Sequence, residues 1–331
     1  MIFHPLILAL LVASGLTSFL VLYASVFGAQ ILRRWDLQSG SEVQLGLERK
    51  TYLISTLLAF VFTSELLSLF LFVFTADKLH TFFVGAMCAA GTFNVNGFGY
   101  PALLLKTFNF VLAGTWLILN AADIRGYDYP LTKKKYGFLL ALTPLILAET
   151  FLQTAFFLKM KPDITTSCCG SLFGSSGSSV ATDLASLPVP TMKAAFGLSL
   201  LLTLAAGLYF MIKSRGGYVF AALSGVNLIV SLLAILSFIS IYFYELPSHH
   251  CPFCILQKSY GFIGYPIYLA VLGGGICGLG VGLLNPFRKV ASLAEVIPPL
   301  QRKLALAAVI LLLVFAAIVG HRLAVSNLIL Q

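Results

Sequence analysis

The sequence predicts an all-α, polytopic integral membrane protein with about eight transmembrane helices, and two observations lead to this fold class. Of the 331 residues, 59% are hydrophobic and 10% are charged, and the mean hydropathy is +0.96. A soluble domain carries about 25% charged residues. Apolar runs of about 20 residues or more recur along the chain, and this length crosses a bilayer. The bilayer is therefore the expected solvent for most of the chain.

The apolar runs divide the chain into spans joined by connectors. They cover residues 5–32, 52–76, 101–122, 137–159, 190–212, 218–244, 256–284 and 304–321. The first run lacks the basic segment that precedes the apolar region of a signal peptide, so we expect it to remain as a span. We predict two four-helix halves, residues 1–160 and 190–331, joined by an outer loop over residues 161–189.

A short repeat supports the division into two halves. Gly97-Phe98-Gly99-Tyr100-Pro101 lies at the start of the third span, and Gly261-Phe262-Ile263-Gly264-Tyr265-Pro266 lies near the start of the seventh. Cys88 precedes the first of these sequences, and Cys254 precedes the second. Parallel repeats are common in membrane folds, and chance similarity is the alternative.

Basic residues indicate the orientation of the spans. Most Lys and Arg residues lie in the odd-numbered connectors, and the even-numbered connectors are poor in them. Because cytoplasmic connectors carry an excess of Lys and Arg, the odd connectors are predicted to be cytoplasmic and both termini periplasmic. In a bacterium this places the chain in the inner membrane. The net charge of +9 follows from this topology and does not indicate a nucleic-acid partner.

The predicted topology sorts the six cysteines. Five lie at or near the outer side, where disulfides persist in a bacterial periplasm: Cys88, Cys168, Cys169, Cys251 and Cys254. Cys277 instead lies in a glycine-rich run of the seventh span. Small residues there allow close helix packing, so Cys277 is expected to be a packing residue.

Cys251 and Cys254 form a Cys-x-x-Cys pair at the predicted outer start of the seventh span. A disulfide between them closes a short loop, which gives little entropic stabilisation, so a purely structural bond is the weaker explanation. Thiol exchange and metal binding both remain open. Pro252 restricts the backbone between the thiols, and a helix N-terminus expected near Cys254 would favour a thiolate.

Two histidines directly precede this pair. His249 and His250, together with Cys251 and Cys254, supply four nitrogen and sulfur ligands, which is the number that a tetrahedral zinc site uses. In a redox centre the same histidines can raise the thiolate fraction or transfer protons. A pair of solvated loop histidines is the third interpretation.

The outer loop over residues 161–189 is rich in Ser and Gly and carries the adjacent cysteines Cys168 and Cys169. Its composition predicts a flexible arm that can bring thiols to a fixed pair. A disulfide between adjacent cysteines is strained and labile, so exchange of one of them with Cys88, Cys251 or Cys254 is expected instead. Adjacent thiols also bind soft metals such as Cu(I).

The segment from Cys251 to Lys258 resembles the DsbB-like disulfide-bond oxidases of bacteria and, more remotely, the vitamin K epoxide reductases. The oxidase motif reads Cys-x-x-Cys-x-x-[Glu/Gln]-Arg, and the matching residues here are Cys251, Cys254, Gln257 and Lys258. The resemblance implies oxidation of a periplasmic thiol protein, transfer of electrons to a membrane quinone, and a quinone site at Gln257 and Lys258. This chain departs from the family in its eight predicted spans and in having Lys258 where the family has Arg.

Two acidic residues lie deep in predicted spans. Glu65 and Glu149 fall at similar depth in the second and fourth spans. An ionisable group there costs about 2.5 kcal/mol or more on insertion scales, and it is a candidate for function. Uptake of the protons that accompany quinone reduction and a cation path are two possibilities. The third is a protonated carboxyl group hydrogen-bonded to a neighbour such as Gln153 or Ser64.

Together these features predict a membrane thiol–disulfide oxidoreductase that exchanges electrons between periplasmic thiols and a quinone. The predicted catalytic residues are Cys251, Cys254, Cys168 and Cys169, and the predicted auxiliary residues are His249, His250, Cys88, Glu65 and Glu149. The alternatives are a protein that handles or transports metal through its outer Cys and His ligands, and a structural subunit of a membrane redox complex. The histidines lie at or near span ends, so no haem b is expected.

Overall fold

The structure is a computed structural model, and it describes residues 3–36, 41–162, 165–166, 187–247 and 249–328. Within these ranges the chain is built from α-helices with short 3-10 and π-helical segments, and its β structure is limited to an isolated parallel bridge between Val84 and Thr165. Among the described residues, eight helical segments are long and apolar enough to cross a membrane. The predicted all-α, multi-pass membrane fold is therefore confirmed.

The helices follow the order of the predicted spans. They are α1 (Pro5–Arg34), α2 (Glu42–Leu79), α3 (Ala89–Phe93), α4 (Gly99–Asp123), α5 (Thr132–Leu158), α6 (Val189–Lys213), α7 (Gly217–Ala234), α8 (Ser240–Tyr244), α9 (Gly264–Leu284) and α10 (Ile297–Val325). A π-helical segment joins α7 to α8, and these three pieces form the sixth span. The short α3 lies in the connector between the second and third spans.

Large apolar side chains are exposed along the spans. Examples are Phe19 on α1, Phe60 on α2 and Ile212 on α6. Each helix satisfies its own backbone hydrogen bonds, so such a surface is stable against lipid tails. The exposed apolar surface therefore agrees with a bilayer as the surrounding solvent.

Contacts between helices group the chain into two compact units. Unit 1 consists of Met1–Phe72, Asn96–Met160 and Leu283–Leu300, and unit 2 consists of Val73–Val95, Lys161–Gly282 and Gln301–Gln331. The units interleave along the chain, because unit 2 includes the end of α2 and all of α3. The predicted four-helix halves, residues 1–160 and 190–331, describe the order of the spans along the chain. This division remains a prediction.

In unit 1, α5 packs against α1 and α4. The core contains Phe62 and Trp116, whose ring centroids are 4.8 Å apart. At the end of α4, the Asp123 carboxylate pairs with Lys135 Nζ at 2.6 Å and accepts the Leu131 backbone N–H at 2.7 Å. This buried ion pair, which the sequence did not reveal, fixes the turn between α4 and α5.

In unit 2, α6 packs against α7, and the glycine-rich α9 approaches α7 closely. A Cβ atom on Gly278 would lie 2.1 Å from the Ser224 hydroxyl oxygen, and one on Gly282 would lie 2.4 Å from the Ala221 side chain. Both separations are too short for real contacts, so this approach requires glycine. The predicted role of the small residues is confirmed, and Cys277 packs there as a half-buried apolar residue.

The start of α9 differs from the prediction. The seventh span was expected to begin at residue 256, but α9 begins at Gly264. Two 3-10 turns precede it, Cys254–Leu256 and Lys258–Tyr260. Gly261 then takes a left-handed φ of 63°, which interrupts the α conformation.

A proline explains where α9 can begin. Pro266 falls in the first turn of the helix, where its missing N–H costs no hydrogen bond. The third span begins in the same way, since α4 starts at Gly99 and Pro101 follows in its first turn. The two Gly-Tyr-Pro sequences thus open two helices alike, and the larger repeat remains a prediction.

Candidate functional site

Three cysteines of unit 2 lie together, and we call Cys88, Cys251 and Cys254 the three-thiol centre. Their sulfur atoms all lie within 4.8 Å of one another, and the Sγ atoms of Cys88 and Cys251 are 3.5 Å apart. The residues are 0%, 0% and 6% exposed. A separation of 3.5 Å is a non-bonded contact, and a disulfide needs about 2.05 Å. The sequence predicted Cys88 only as an auxiliary, and the structure brings it into direct contact with the pair.

The backbone around Cys88 is held by a short β-type pairing. The Thr166 N–H donates to the Val84 carbonyl oxygen at 2.9 Å, and the Thr166 hydroxyl donates to the Gly91 carbonyl oxygen at 3.0 Å. Gly85 has a φ of 88°, and a Cβ atom there would lie 2.6 Å from the Thr166 carbonyl oxygen. Because only glycine accepts this conformation and this approach without strain, Gly85 is required for the pairing.

A buried hydroxyl group holds both ends of the Cys-x-x-Cys segment. The Tyr244 hydroxyl donates to the Cys251 carbonyl oxygen at 2.5 Å and accepts the Ile255 N–H at 2.9 Å. Tyr268 adds a hydrogen bond to the Pro252 carbonyl oxygen at 2.9 Å. A phenol can donate and accept at the same time. These two tyrosines therefore fix the backbone on which the thiols are mounted.

Gln257 links the Cys-x-x-Cys segment to the chain that carries Cys88. Its amide nitrogen donates to Asp77 Oδ1 at 3.0 Å and to the Met87 carbonyl oxygen at 2.9 Å. The rings of Phe253 and Phe93 add an apolar contact between the same segments, with centroids 5.6 Å apart. The amide that the resemblance assigns to a quinone is therefore engaged in holding the centre together.

Lys258, the second residue that the resemblance assigns to a quinone, is exposed at the surface. It begins the 3-10 turn that ends at Tyr260, whose ring packs against Tyr244 with centroids 4.9 Å apart. Burial, with a contribution from Cys254, raises the pKa of Tyr260, so its phenol stays neutral. Lys258 is thus an exposed residue in the turn that leads into this packed aromatic pair.

The two histidines point to different partners. His249 Nε2 lies 3.4 Å from Cys254 Sγ, and its ring packs edge-on against Tyr244. Burial and the neighbouring His250 lower the pKa of His249, so its neutral imidazole can accept a thiol proton. His250 Nδ1 instead donates to the Ser237 carbonyl oxygen at 3.1 Å. Of the four predicted zinc ligands, His250 therefore points away, while His249 stays beside Cys254 and Cys88 joins the two thiols.

The expected helix N-terminus beside Cys254 is wrong. Cys254 begins a 3-10 turn, and α9 starts only at Gly264. The dipole of a long helix therefore does not act on this thiol. The His249 imidazole, 3.4 Å away, is a group that can favour its thiolate form.

Cys168 and Cys169 lie outside the described residues, and the predictions for them remain predictions. The nearest described residues before them are Thr165 and Thr166, which pair with the chain that carries Cys88. Thr165 and Thr166 of this connector therefore lie beside the loop that carries Cys88.

Unit 1 contains a buried ionic cluster, the acid–lysine cluster, formed by Glu65, Lys106, Asn109 and Glu149. Lys106 Nζ contacts Glu65 Oε1 at 3.3 Å and also contacts Glu149 Oε1, while Asn109 Nδ2 lies 2.6 Å from Glu149 Oε2. The four residues are 3%, 1%, 0% and 2% exposed. The prediction that Glu65 and Glu149 lie at similar depth is confirmed, because both carboxyl groups contact one lysine.

The suggested neutral partners of these acids bond elsewhere. Gln153 donates to the Leu10 carbonyl oxygen at 3.2 Å, and the Ser64 hydroxyl donates to a carbonyl oxygen of its own helix. Lys106 is the partner that sequence reasoning missed. A lysine inside the apolar third span was the available signal, since a charge at that depth needs a partner.

The chain matches no family model, no characterised protein and no solved structure, so its function has to be inferred from the geometry of these two clusters.

Proposed function

We propose that the chain is a membrane thiol–disulfide oxidoreductase whose exchange site is the three-thiol centre. The observation that carries the proposal is the 3.5 Å contact between Cys88 Sγ and Cys251 Sγ, with Cys254 Sγ within the same cluster. Cys251 therefore has two sulfur partners. A disulfide at Cys251 can therefore shift between Cys88 and Cys254. A disulfide that only stabilises the fold would not need a second partner for Cys251.

The chemistry is an exchange at the Cys251 sulfur. When Cys88 and Cys251 are joined, the Cys254 thiolate attacks Cys251; the Cys251–Cys254 bond forms, the Cys88–Cys251 bond breaks, and Cys88 leaves as a thiolate. This step conserves electrons. Net reduction of the centre takes two electrons from a dithiol, and net oxidation delivers two electrons to an acceptor. We propose a periplasmic thiol protein as the donor and a membrane quinone as the acceptor.

His249 is placed to assist this exchange. Its Nε2 atom is 3.4 Å from Cys254 Sγ, and its neutral ring can take the thiol proton before the attack. The thiolate is the nucleophile in such an exchange. Tyr244 keeps the Cys251 and Ile255 backbone fixed while the sulfur atoms change partners.

We further propose that Cys168 and Cys169 connect the centre with the periplasmic thiol protein. Thr166, two positions before Cys168 in the sequence, is hydrogen-bonded to the loop of Cys88. Two residues of extended chain span at most about 7 Å, which supports exchange with Cys88 as the first contact. In this proposal the three-thiol centre lies at the outer side of a bacterial inner membrane, and both termini of the chain are periplasmic.

The quinone proposal is supported by Lys258 and not by Gln257. The Lys258 ammonium is exposed, whereas the Gln257 amide already donates to Asp77 and Met87. A quinone supplies a two-electron acceptor when it is bound. A mainly apolar recess of about 370 Å³ in unit 2 also offers surface for such a ring, although Lys258 is not among its lining residues, which are Phe243, Ile263, Ala317, Ile318, His321 and Arg322.

Electron transfer from a dithiol to a soluble quinone analogue, measured on purified full-length protein, tests the proposal. Cys251→Ser should abolish the transfer, and Cys88→Ser and Cys254→Ser should each reduce it by an order of magnitude or more. Cys277→Ser is the matched control and should behave like the wild type, because Cys277 lies outside the centre. Equal rates for Cys251→Ser and Cys277→Ser would contradict the proposal.

Trapping identifies the donor. Cys254→Ser removes the thiol that releases Cys88 from Cys251, so turnover stalls and the mixed disulfide of Cys168 or Cys169 with a periplasmic thiol protein should accumulate in cells. Lys258→Ala should slow the reaction with quinone and leave this trapping unchanged. Absence of any mixed disulfide in Cys254→Ser would sink the assignment of a thiol protein as donor.

A second candidate, binding of a soft metal ion, is favoured by the same sulfur geometry. Two thiolates on one ion lie at most about 4.6 Å apart when each metal–sulfur bond is about 2.3 Å. The three sulfurs, all within 4.8 Å, need to contract little to share an ion such as Cu(I) or Zn²⁺. Elemental analysis decides this point. Metal binding at the centre is supported if the control Cys277→Ser contains stoichiometric metal and Cys88→Ser does not. It is excluded if the purified wild type contains no metal and still reduces quinone at the full rate.

A further inference from the structure

The acid–lysine cluster of unit 1 contains more acid than base. Lys106 is shared by Glu65 and Glu149, so the fully ionised cluster would carry a net charge of −1. Two uncharged side chains contact it: the Asn109 amide approaches Glu149, and the Phe72 ring lies 5.8 Å from Lys106 Nζ. Among the described residues, the ion pairs of this cluster involve these three charged groups and no fourth.

A net charge in this position is strongly disfavoured. The cluster is nearly inaccessible to solvent, and it lies on three helices that are long and apolar enough to cross a membrane. A buried ionisable group whose charge is not compensated changes its protonation state instead. One bound proton makes the cluster neutral, with one carboxylate, one ammonium and one carboxylic acid.

The contact between Asn109 and Glu149 indicates which carboxyl group carries the proton. The two side chains approach to 2.6 Å, which is shorter than the range of about 2.7–3.2 Å for N–H···O bonds and fits an O–H···O bond. Asn109 Oδ1 is buried and has no donor among the described residues. The oxygen and nitrogen of an amide can be exchanged by a rotation of 180°. In the rotated amide, a protonated Glu149 Oε2 donates to Asn109 Oδ1, and the Asn109 amide N–H groups take the buried position that the oxygen leaves.

We propose that this cluster is an intramembrane proton-binding site in which Glu149 holds one proton against Asn109, while Lys106 and Glu65 form the compensating ion pair. The ligand is a proton. The cluster is neutral when the proton is bound and carries a net charge of −1 when it is lost. Buried carboxyl groups of this kind are the elements of proton relays in membrane proteins. The inference goes beyond thiol exchange and does not depend on it.

Infrared spectroscopy of full-length protein near neutral pH tests the site, since only a protonated carboxyl group gives a carboxylic acid band that shifts in D₂O. The wild type should show one such band. Glu149→Gln should remove it, and Glu65→Gln should remove it as well, because the remaining carboxylate is then balanced by Lys106. Lys106→Met should double it. Asn109→Leu should move it to higher frequency, because the proton loses its acceptor.

Glu245→Gln is the matched control, since Glu245 forms a partly exposed ion pair with Arg322 in unit 2 and should leave the band unchanged. Absence of the band in the wild type would overturn the proposal. So would a band that persists in Glu149→Gln. If Lys106→Met does not fold, the wild type, Glu149→Gln and Glu65→Gln still decide the question. None of these three proteins has more buried charged groups than the wild type.

Discussion

At the scale of single residues, Cys251 is distinguished by its two sulfur neighbours. Cys254 follows it at Cys-x-x-Cys spacing, and Cys88 reaches it from a segment 163 residues away. Its carbonyl group is held by Tyr244, so the sulfur can change partner while the backbone stays in place. We therefore regard Cys251 as the exchange atom, with Cys88 and Cys254 as its alternating partners.

Tyr244→Phe tests the role of the buried hydroxyl group. The change leaves the Cys251 carbonyl oxygen and the Ile255 N–H without this partner, which should cost about 1–3 kcal/mol of unfolding free energy. Thermal unfolding of the purified protein measures the loss. Tyr218→Phe is the control, since Tyr218 is exposed. A Tyr244→Phe variant as stable as Tyr218→Phe would show that the hydroxyl does not hold the segment.

Lys106→Met tests the energetic importance of the shared lysine. Removing one partner of a buried ion pair costs about 3–5 kcal/mol, because the remaining charge has to be buried alone or neutralised. Glu149→Gln should cost less than half as much, since an amide keeps the contact with Asn109 and leaves Lys106 paired with Glu65. Chemical unfolding in detergent compares the two. Equal losses would contradict the charge balance that we describe.

At the scale of elements, the loop between α2 and α3 decides whether Cys88 meets Cys251. Gly85→Ala introduces a Cβ atom 2.6 Å from the Thr166 carbonyl oxygen and forces a left-handed φ on alanine. We expect a loss of about 1 kcal/mol or more and fewer Cys88–Cys251 disulfides, with the Cys251–Cys254 pair unaffected. Quantitative mass spectrometry of the two disulfides measures this ratio.

Gly97→Ala is the control for this loop change, because a Cβ atom at Gly97 meets no atom within 4 Å. It should leave the ratio of the two disulfides as in the wild type. An unchanged ratio in Gly85→Ala as well would mean that the Thr166 pairing does not position Cys88.

The elements also show where sequence patterns stop being informative. The eight spans were predictable because each is a long apolar run, and the outcome agrees. The start of α9 was predicted too early, since the apolar residues Ile255 and Leu256 belong to a buried 3-10 turn and not to the helix. Hydropathy does not distinguish these cases, whereas Gly261 and Pro266 together indicate the break.

At the scale of the whole molecule, the predicted topology assigns the α4–α5 connector to the cytoplasm and the connector after α8 to the outside. Tyr127→Cys and Leu246→Cys place exposed thiols in these two connectors. In a background with Cys168→Ser and Cys169→Ser, a membrane-impermeant maleimide should label Leu246→Cys in intact cells. It should label Tyr127→Cys only after lysis. The opposite pattern would reverse the orientation and remove the centre from the periplasm.

Both candidate sites depend on contacts between distant parts of the chain, and this explains what the sequence left open. The Cys-x-x-Cys pair and the two buried acids were recognisable from spacing and depth. The joining of Cys88 to Cys251, and of Lys106 to Glu65 and Glu149, depends on tertiary packing that residue spacing does not encode. A rule that every charge inside a span needs a partner would have pointed to Lys106.

The most direct test of the account is to map the disulfides of the wild-type protein, isolated from its membrane with its thiols blocked at once. Mass spectrometry should find Cys251 joined to Cys88 in one fraction of the molecules and to Cys254 in another. Finding Cys251 joined only to Cys254 would reduce the centre to an ordinary Cys-x-x-Cys pair. Finding Cys251 joined to neither, under oxidising conditions, would contradict thiol exchange altogether.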